Sequence, residues 1–374
     1  MDDDVVIRVG PYQTETPLNR SSIYDLGGWE SVRIQRSCEF FPSVFEIVAT
    51  ERYPSATIDV PVRPGDPCQV FITRGLGRDL VVSGYIDSVT PGLSASQHSL
   101  RIVGRGRGQD LVDCSAVWST GQFNNQSVLT IAQSLAKPFG ISVSQLSGEE
   151  RVVPQLVIMW GETPYELIER IARFAALLVY EDANGNLVLS RVGNGSMSTG
   201  VVEGANIQQA SVQYSMHDRY SQYRVRRLTF SPFADGGANP EGDIVATIQD
   251  GGVPRFRPKY IIAETPAGMG DDYARARGEW EASRRFGRST QIHVTVDSWR
   301  DGSGNLWTPN TIIPIRIPTL KVNAAAASQT EWVIGSVMFR RDERGTAAEL
   351  TVMPAAAFDV LPVPITPLLN AGPY

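Results

Sequence analysis

The chain has 374 residues, of which 42% are hydrophobic and 20% are charged, and its formal net charge is −6. This balance is typical of a folded globular protein and excludes an intrinsically disordered one, and the length predicts several packed units rather than one. The negative charge excludes a protein that coats nucleic acid with its whole surface, and no apolar run approaches the ~20 residues that cross a bilayer, so we expect no membrane insertion.

Short alternating strands dominate the first part of the chain. The alternation of apolar and polar residues is clear at residues 44–50, 69–73, 80–89 and 100–103, and turns rich in Pro and Gly separate these runs. We therefore expect residues 1–113 to form an antiparallel β-barrel.

The hydrophobic period changes to that of a helix in the next part. Apolar residues follow helical spacing up to Pro138, and Thr163 is expected to cap a second helix. Two strand-like runs, 177–180 and 187–191, then enclose a hairpin turn. These elements predict a small α/β domain at residues 114–195.

Strands return in the last part, where residues 291–297 alternate strictly between apolar and polar side chains. We assign residues 196–230 and 289–354 to a second β-barrel domain. Residues 231–288, a Gly- and Pro-rich loop followed by a polar helix, are interpreted as an inserted loop-helix domain. Residues 355–374 are rich in proline and aliphatic residues, which predicts an extended C-terminal arm.

The two strand-rich regions match each other at a nearly constant offset. The matched pairs differ by 245 to 248 positions, and they are Ile47 and Val294, Ile72 and Ile317, Ile86 and Ile334, and Ile102 and Leu350. Any two half-buried strands share apolar positions, so coincidence stays open. We interpret the offset as an internal duplication, which gives a mainly β fold with α+β parts and two similar antiparallel β-barrels in one chain.

Residues that could support catalysis or bind a metal are few and scattered. The chain has three histidines without metal-ligand spacing and three cysteines that are far apart, namely His98, His217 and His293, and Cys38, Cys68 and Cys114. No G-x-S-x-G motif is present. We therefore predict no catalytic residue, no cofactor and no metal, and we expect the cysteines to be buried thiols. We expect His293 to lie on the solvent-exposed face of its strand.

Two alternative functions remain open at this point. Glu149-Glu150, Glu162, Glu166 and Glu169 could supply the two carboxylates of a peptidoglycan hydrolase, although the last three share the polar face of an amphipathic helix. The second alternative is a carbohydrate-binding module that stacks sugars on tryptophans, chiefly Trp29, Trp299 and Trp307, although large aromatics more often anchor a core.

The run Gly104-Arg105-Gly106-Arg107-Gly108 lacks the spacing of a dinucleotide-binding loop, and we interpret it as a connection between the first barrel and the next domain. Guanidinium groups pair well with phosphate and carboxylate. Arg105 and Arg107 are therefore candidates for contact with an acidic partner or with nucleic acid in a channel.

A series of short motifs runs in order through nearly the whole chain. They are Trp29-Glu30-Ser31-Val32-Arg33-Ile34 with Arg36-Ser37, Arg63-Pro64-Gly65-Asp66-Pro67, Gly84-Tyr85-Ile86-Asp87, Gly104-Arg105, Asp110-Leu111-Val112-Asp113-Cys114-Ser115, Pro138-Phe139-Gly140-Ile141, Glu162-Thr163-Pro164-Tyr165-Glu166, Trp299-Arg300-Asp301, Leu306-Trp307, Gly345-Thr346 and Ala357-Phe358. In this order they resemble the baseplate hub proteins of Mu-like contractile phage tails, within the wider late control protein D and type VI spike-hub family.

The resemblance implies a structural protein and not an enzyme. It implies a homotrimer whose two barrels per chain form a six-fold-like ring, which joins the hexameric tail tube to the trimeric spike. The implied partners are the chain itself, the tail spike protein, and the tail tube and other baseplate proteins, with transient DNA passage through the channel. The implied location is the baseplate of the virion tail, and the host cytoplasm during assembly.

The C-terminal arm is the predicted contact with a neighbouring subunit or with the spike. Prolines exclude helix and central-strand geometry there, while five aliphatic side chains remain, namely Leu361, Val363, Ile365, Leu368 and Leu369. A restricted, apolar arm loses little conformational entropy when it docks in an extended groove.

Overall fold

The computed structural model describes residues 3–10, 24–50, 62–94, 98–118, 120–227, 244–263, 271–322 and 330–360. The first part contains β1 (Asp4–Val9), β2 (Tyr24–Leu26), β3 (Ser31–Ser37), β4 (Val44–Thr50), β5 (Pro67–Arg74), β6 (Gly77–Leu93) and β7 (His98–Gly106). The middle part contains α1 (Gln109–Asp113), β8 (Gln122–Ser127), α2 (Val128–Ala136), β9 (Val143–Gln145), β10 (Val152–Val157), α3 (Pro164–Phe174), β11 (Leu178–Glu181) and β12 (Leu187–Ser190). The last part contains β13 (Val201–Val202), β14 (Ile207–Tyr214), β15 (Gln222–Arg227), β16 (Ile244–Gln249), β17 (Pro258–Ala263), α4 (Asp271–Arg288), β18 (Thr290–Val296), β19 (Ile315–Arg316), β20 (Trp332–Asp342) and β21 (Gly345–Pro354).

Strands from both ends of the chain join into one large sheet. Its eleven strands have the order β14-β18-β21-β20-β3-β4-β7-β6-β5-β1-β2. The two halves meet where β20 pairs antiparallel with β3, with Phe339 opposite Ile34. Both side chains are fully buried, and the apolar residues of the two halves form one continuous core. The predicted mainly β fold is confirmed.

The two halves of this sheet repeat the same pairing. Ile47 of β4 lies opposite Ile102 of β7 in the first half. Val294 of β18 lies opposite Leu350 of β21 in the second half. The offset in the sequence therefore links positions that have equivalent partners.

A β-bulge is repeated at the same offset. It follows Ile86 in β6, where Ile86 lies opposite Gly104, and it follows Ile334 in β20, where Ile334 lies opposite Val352. Ile86 and Ile334 thus occupy equivalent strands at equivalent positions, as the duplication requires. Bulges change the twist of a strand locally, so a bulge repeated at one position indicates common geometry.

The match between Ile72 and Ile317 is weaker. Ile72 of β5 lies opposite Asp79 of β6, whereas Ile317 forms an isolated bridge with Val322. The strand before Ile317, β19, pairs in parallel with β13 and not with β20. Both isoleucines are buried, but the outer strands of the second half follow a different course.

The middle part packs two helices against small sheets. The side chain of Thr163 accepts a hydrogen bond from the N–H of Glu166, and the Glu166 carboxylate accepts one from the N–H of Thr163. This reciprocal capping box confirms the predicted start of α3. Leu167, Ile168 and Ile171 lie on its buried face.

The inserted part contains a sheet of its own, which the sequence did not predict. β15 lies between β16 and β17 in a separate three-stranded sheet, and α4 packs against it. Tyr223 and Val225 of β15 are buried there with Ala274 of α4. Residues 222–227, which the sequence assigned to the second barrel, therefore belong to the insertion, because their apolar side chains face α4. The remaining predicted domain boundaries stay a prediction.

Candidate assembly surfaces

A buried carboxylate forms a joint between β11 of the middle part and the chain segments next to β4 and β7 of the large sheet. Glu181 of β11 is 5% exposed, and it accepts hydrogen bonds from the backbone N–H groups of Ser43 (3.0 Å) and Gly108 (2.9 Å). Burial raises the pKa of this carboxyl, while these hydrogen bonds and the charge of Arg36 act in the opposite direction. Because Ser43 lies 138 positions away in the chain, next to β4, Glu181 fixes β11 against the large sheet.

The glycine run at the end of β7 makes room for this joint. A Cβ atom at Gly106 would lie 2.0 Å from Oε2 of Glu181, and one at Gly108 would lie 2.1 Å from the ring of Phe41. Only glycine fits such close approaches. The run is therefore a packing feature, but the expected connecting loop is only its last part, because residues 104–106 belong to β7.

The two arginines of the same run contact groups within the chain. Arg105 pairs with Asp87 (2.6 Å) and Asp113 (2.7 Å), and the hydrogen bond that it donates to Asp113 is the main reason that the pKa of Arg105 is raised. Arg107 donates to the carbonyl of Gly140 (2.9 Å). These contacts stabilise the joint, and the predicted role of both arginines in a channel stays a prediction.

The structure engages three of the candidate hydrolase carboxylates in local contacts, while Glu149 and Glu150 are exposed. Glu166 belongs to the capping box, Glu162 pairs with Arg170 at 2.8 Å, and Glu169 pairs with Arg173. These carboxylates stabilise α3 and its first turn.

The tryptophans proposed for sugar stacking lie mainly in the core. Trp299 is 0% exposed and Trp307 is 1% exposed, so neither ring can stack on a carbohydrate. Trp29 is partly buried and donates its indole N–H to the carbonyl of Val5 (2.9 Å). The expectation that these aromatics anchor the fold is confirmed.

The remaining candidate residues, one histidine and the three cysteines, are divided between exposed and buried positions. His293 lies on the exposed face of β18, as predicted. Cys38 and Cys68 are buried, and burial raises the pKa of Cys38 to about 12. Cys114 is exposed, so the expectation that it is buried is wrong, because it follows the short helix α1 at the surface of the joint.

The described residues contain neither a metal-binding cluster nor a membrane-spanning helix. In the described ranges, no three His, Cys, Asp or Glu side chains are grouped so that they could hold a metal ion. Within the same part of the chain, no helix is both long and apolar enough to cross a membrane.

Besides the short end strand β2, the large sheet has two strand edges without a partner among the described residues. β5 pairs with β6 only as far as Tyr85, so residues 88–93 of β6 have a neighbour on one side only. β14 forms the end of the sheet. Leu93 is 83% exposed at the first edge, and Tyr214 is 64% exposed at the second. Open edges with apolar side chains are templates for pairing with another strand.

The predicted arm residues Leu361, Val363, Ile365, Leu368 and Leu369 lie outside the described residues. The chain up to them is held by α4, because Trp280 (3.0 Å) and Arg284 (2.6 Å) both donate to the carbonyl of Asp359. Phe358 is fully buried. The prediction of an interface therefore concerns only the residues beyond this anchor.

Comparisons with known proteins agree with one another along the chain. Residues 24–106 match the N-terminal domain of the Mu phage baseplate assembly protein GpP-like family, residues 108–191 match the second domain of the baseplate hub protein gp44-like family, and residues 270–361 match the fourth domain of Mu phage baseplate assembly protein GpP. The chain is 30% identical over 338 residues to baseplate hub protein gp44 of Escherichia phage Mu, which covers 88% of this chain and 86% of that protein.

Solved structures show the same similarity. The crystal structure of the 43 kDa tail protein of prophage MuSo2 from Shewanella oneidensis matches with a TM-score of 0.78 and 28% identity, over 96% of this chain and 99% of that chain. The tail protein from Neisseria meningitidis MC58 shares the fold, with a TM-score of 0.67 and 20% identity over 95% of this chain and 97% of that chain.

Proposed function

The chain belongs to the family of Mu-type phage baseplate hub proteins, and from this premise we propose that three copies close into a ring that joins the tail tube to the spike. As a member of this family it is a structural hub of the tail baseplate, and its place is the baseplate of the virion. The proposal adds the number of copies and the partners on either side of the ring.

The observation that carries the proposal is the duplicated pairing in the large sheet. The pairs Ile47–Ile102 and Val294–Leu350 occupy equivalent positions, so each chain presents two similar units. Three chains would then present six such units, which suits a six-fold tube on one side and a three-fold spike on the other. A repeated head-to-tail contact closes into a ring when its rotations add up to a full turn, with no rise along the axis.

We further propose that the hub is not an enzyme. Support comes from the acidic residues that resembled a hydrolase pair, since Glu162, Glu166 and Glu169 already serve in ion pairs and in a helix cap. Zymography on peptidoglycan with the purified protein tests this proposal. A cleared zone that persists after further purification would contradict it.

The proposed partners are the tail spike protein and the tail tube, with assembly in the host cytoplasm and DNA passing through the ring during delivery. Electron microscopy of the purified protein tests the ring itself. The expected top view is a closed ring of six lobes with three-fold symmetry. Single particles of two lobes, at every concentration used, would contradict it.

A further inference from the structure

We propose that the ring closes by strand pairing between copies, with residues 88–93 of β6 in one copy lying antiparallel to residues 210–215, at the end of β14, in the next copy. The inference rests on the proposed ring and deepens it, because it names the two strands and their register. The partner in this contact is a second copy of this chain.

The template for this contact is the junction between the two halves inside one chain. There, β20 pairs antiparallel with β3, from Ser336 opposite Ser37 to Arg341 opposite Val32. Its central pair, Phe339 and Ile34, is fully buried. The junction thus shows how the end of one half joins the next.

Each strand of the template has an equivalent at an open edge. β6 corresponds to β20 at an offset of 248, which the shared bulge after Ile86 and Ile334 fixes. The part of β20 that pairs with β3, residues 336–341, therefore corresponds to residues 88–93. Those residues form the half of β6 that β5 does not reach.

β14 corresponds to β3 in the same way. Val32 of β3 lies opposite Ile47 of β4, and Ala210 of β14 lies opposite Val294 of β18. Because Ile47 and Val294 are equivalent, Val32 and Ala210 are equivalent too, and the offset between these strands is 178. The edge of β6 that corresponds to β20 and the edge of β14 that corresponds to β3 therefore both lack a partner strand among the described residues.

If the pairing of β20 with β3 is repeated between copies, the two offsets determine which residues lie opposite each other. The expected pairs are Ser88 with Ser215, Val89 with Tyr214, Thr90 with Gln213, Pro91 with Val212, Gly92 with Ser211, and Leu93 with Ala210. Such a contact joins different surfaces of the two copies, so it builds a closed ring when the repeated rotation completes a full turn, and not an isolated pair.

The side chains at both edges fit this contact. Val89 corresponds to Val337 and Val212 corresponds to Ile34, and both are partly buried against the core of their own half. Leu93 and Tyr214 are largely exposed on the isolated chain. Pairing would cover them, as the intrachain junction covers its own apolar positions.

Pro91 removes one backbone hydrogen bond from the proposed strand pairing. It has no backbone N–H, so the contact between copies lacks one donor that Phe339 can supply in the template. Proline is tolerated at a sheet edge, and it also discourages pairing with unrelated strands. The backbone groups of Val89 and Leu93 remain able to pair on either side of it.

An engineered disulfide tests the register. Directly opposite residues in antiparallel strands have Cα atoms about 4.5–5.5 Å apart, which suits a disulfide. Thr90→Cys with Gln213→Cys is made in a Cys114→Ser background, since Cys114 is the exposed native thiol. Oxidation should give a covalent trimer on a non-reducing gel.

The matched control moves one cysteine along the same strand. Thr90→Cys with Gln209→Cys uses an exposed position four residues away, about 13 Å along β14, and should give little covalent trimer. Equal cross-linking of both pairs, or none of the first pair in a protein that is trimeric by light scattering, overturns the register while the ring survives. A wild-type protein that is monomeric overturns the ring and this inference together.

A second variant tests the edge without engineered thiols. Leu93→Asp places a charge in the proposed contact, and the residue is 83% exposed, so the fold of the chain should persist. The control is Leu76→Asp in the turn between β5 and β6, where Leu76 is fully exposed. Light scattering should show loss of the trimer for Leu93→Asp only. A trimer retained by Leu93→Asp as well as by the control overturns the proposed contact.

Discussion

Ile86 and Ile334 lie at the same point of two duplicated strands, each directly before a β-bulge and each almost fully buried, with 1% and 0% of its surface exposed. Since they fill equivalent places in one continuous core, the two residues should contribute similarly to stability. Their equivalence also fixes the offset that relates the two open edges of the sheet.

Replacing either isoleucine by alanine should destabilise the protein by about 2–5 kcal/mol, because each change leaves a cavity in the core. Denaturant unfolding followed by circular dichroism measures the loss. Leu76→Ala is the control, since Leu76 is fully exposed and its loss should change little. A large effect at Ile86 with almost none at Ile334 would contradict their equivalence.

Removing the Glu181 carboxylate should loosen the joint between β11 and the large sheet. Glu181→Ala leaves the buried N–H groups of Ser43 and Gly108 without their acceptor, at a cost of about 1–3 kcal/mol for each group. Thermal unfolding measures this change, and Glu150→Ala, at an exposed position, is the control. Equal melting temperatures for the two variants would show that the joint does not depend on Glu181.

The same carboxyl should make stability depend on pH. Its folded pKa is raised by burial, so between its ordinary value of 4.5 and the raised value the folded state holds a proton that the unfolded state has released. Stability should therefore fall as pH rises through this window. The fall should be smaller in Glu181→Gln, which has no titrating group there. Parallel pH profiles for the two proteins would contradict this.

Glu166→Ala and His293→Ala should leave the assembled mass unchanged. Glu166 caps α3, so its loss should cost about 1 kcal/mol of local stability, and His293 lies on an exposed sheet face. Light scattering measures the assembly, with the Leu93→Asp variant as the positive control for dissociation. Loss of a cell-wall-degrading activity in either variant would restore the hydrolase alternative.

Deleting residues 361–374 should leave the sheet folded and weaken association with a neighbouring subunit or the spike. The anchor of Asp359 on Trp280 and Arg284 remains in this variant, so any loss belongs to the arm. Circular dichroism tests the fold, and pull-down with the spike protein tests association. If the shortened chain associates as well as the full chain does, the arm is dispensable.

Local patterns in the sequence were enough to predict some elements and not others. β4 was predicted at its observed bounds, because one face is buried and the other is wet. β17 was not, because Tyr260 and Ile262 on its outer face are exposed apolar side chains that break the expected polar pattern. The role of Gly106 depends on Glu181, which is distant in sequence, so no local pattern could reveal it.

Native mass spectrometry of the purified wild-type protein tests the central claim most directly. The account predicts a species of three times the 40.9 kDa chain mass at micromolar concentration, which Leu93→Asp converts to the single-chain mass while Leu76→Asp does not. A wild-type protein that remains at the mass of one chain under the same conditions would contradict the proposed hub ring.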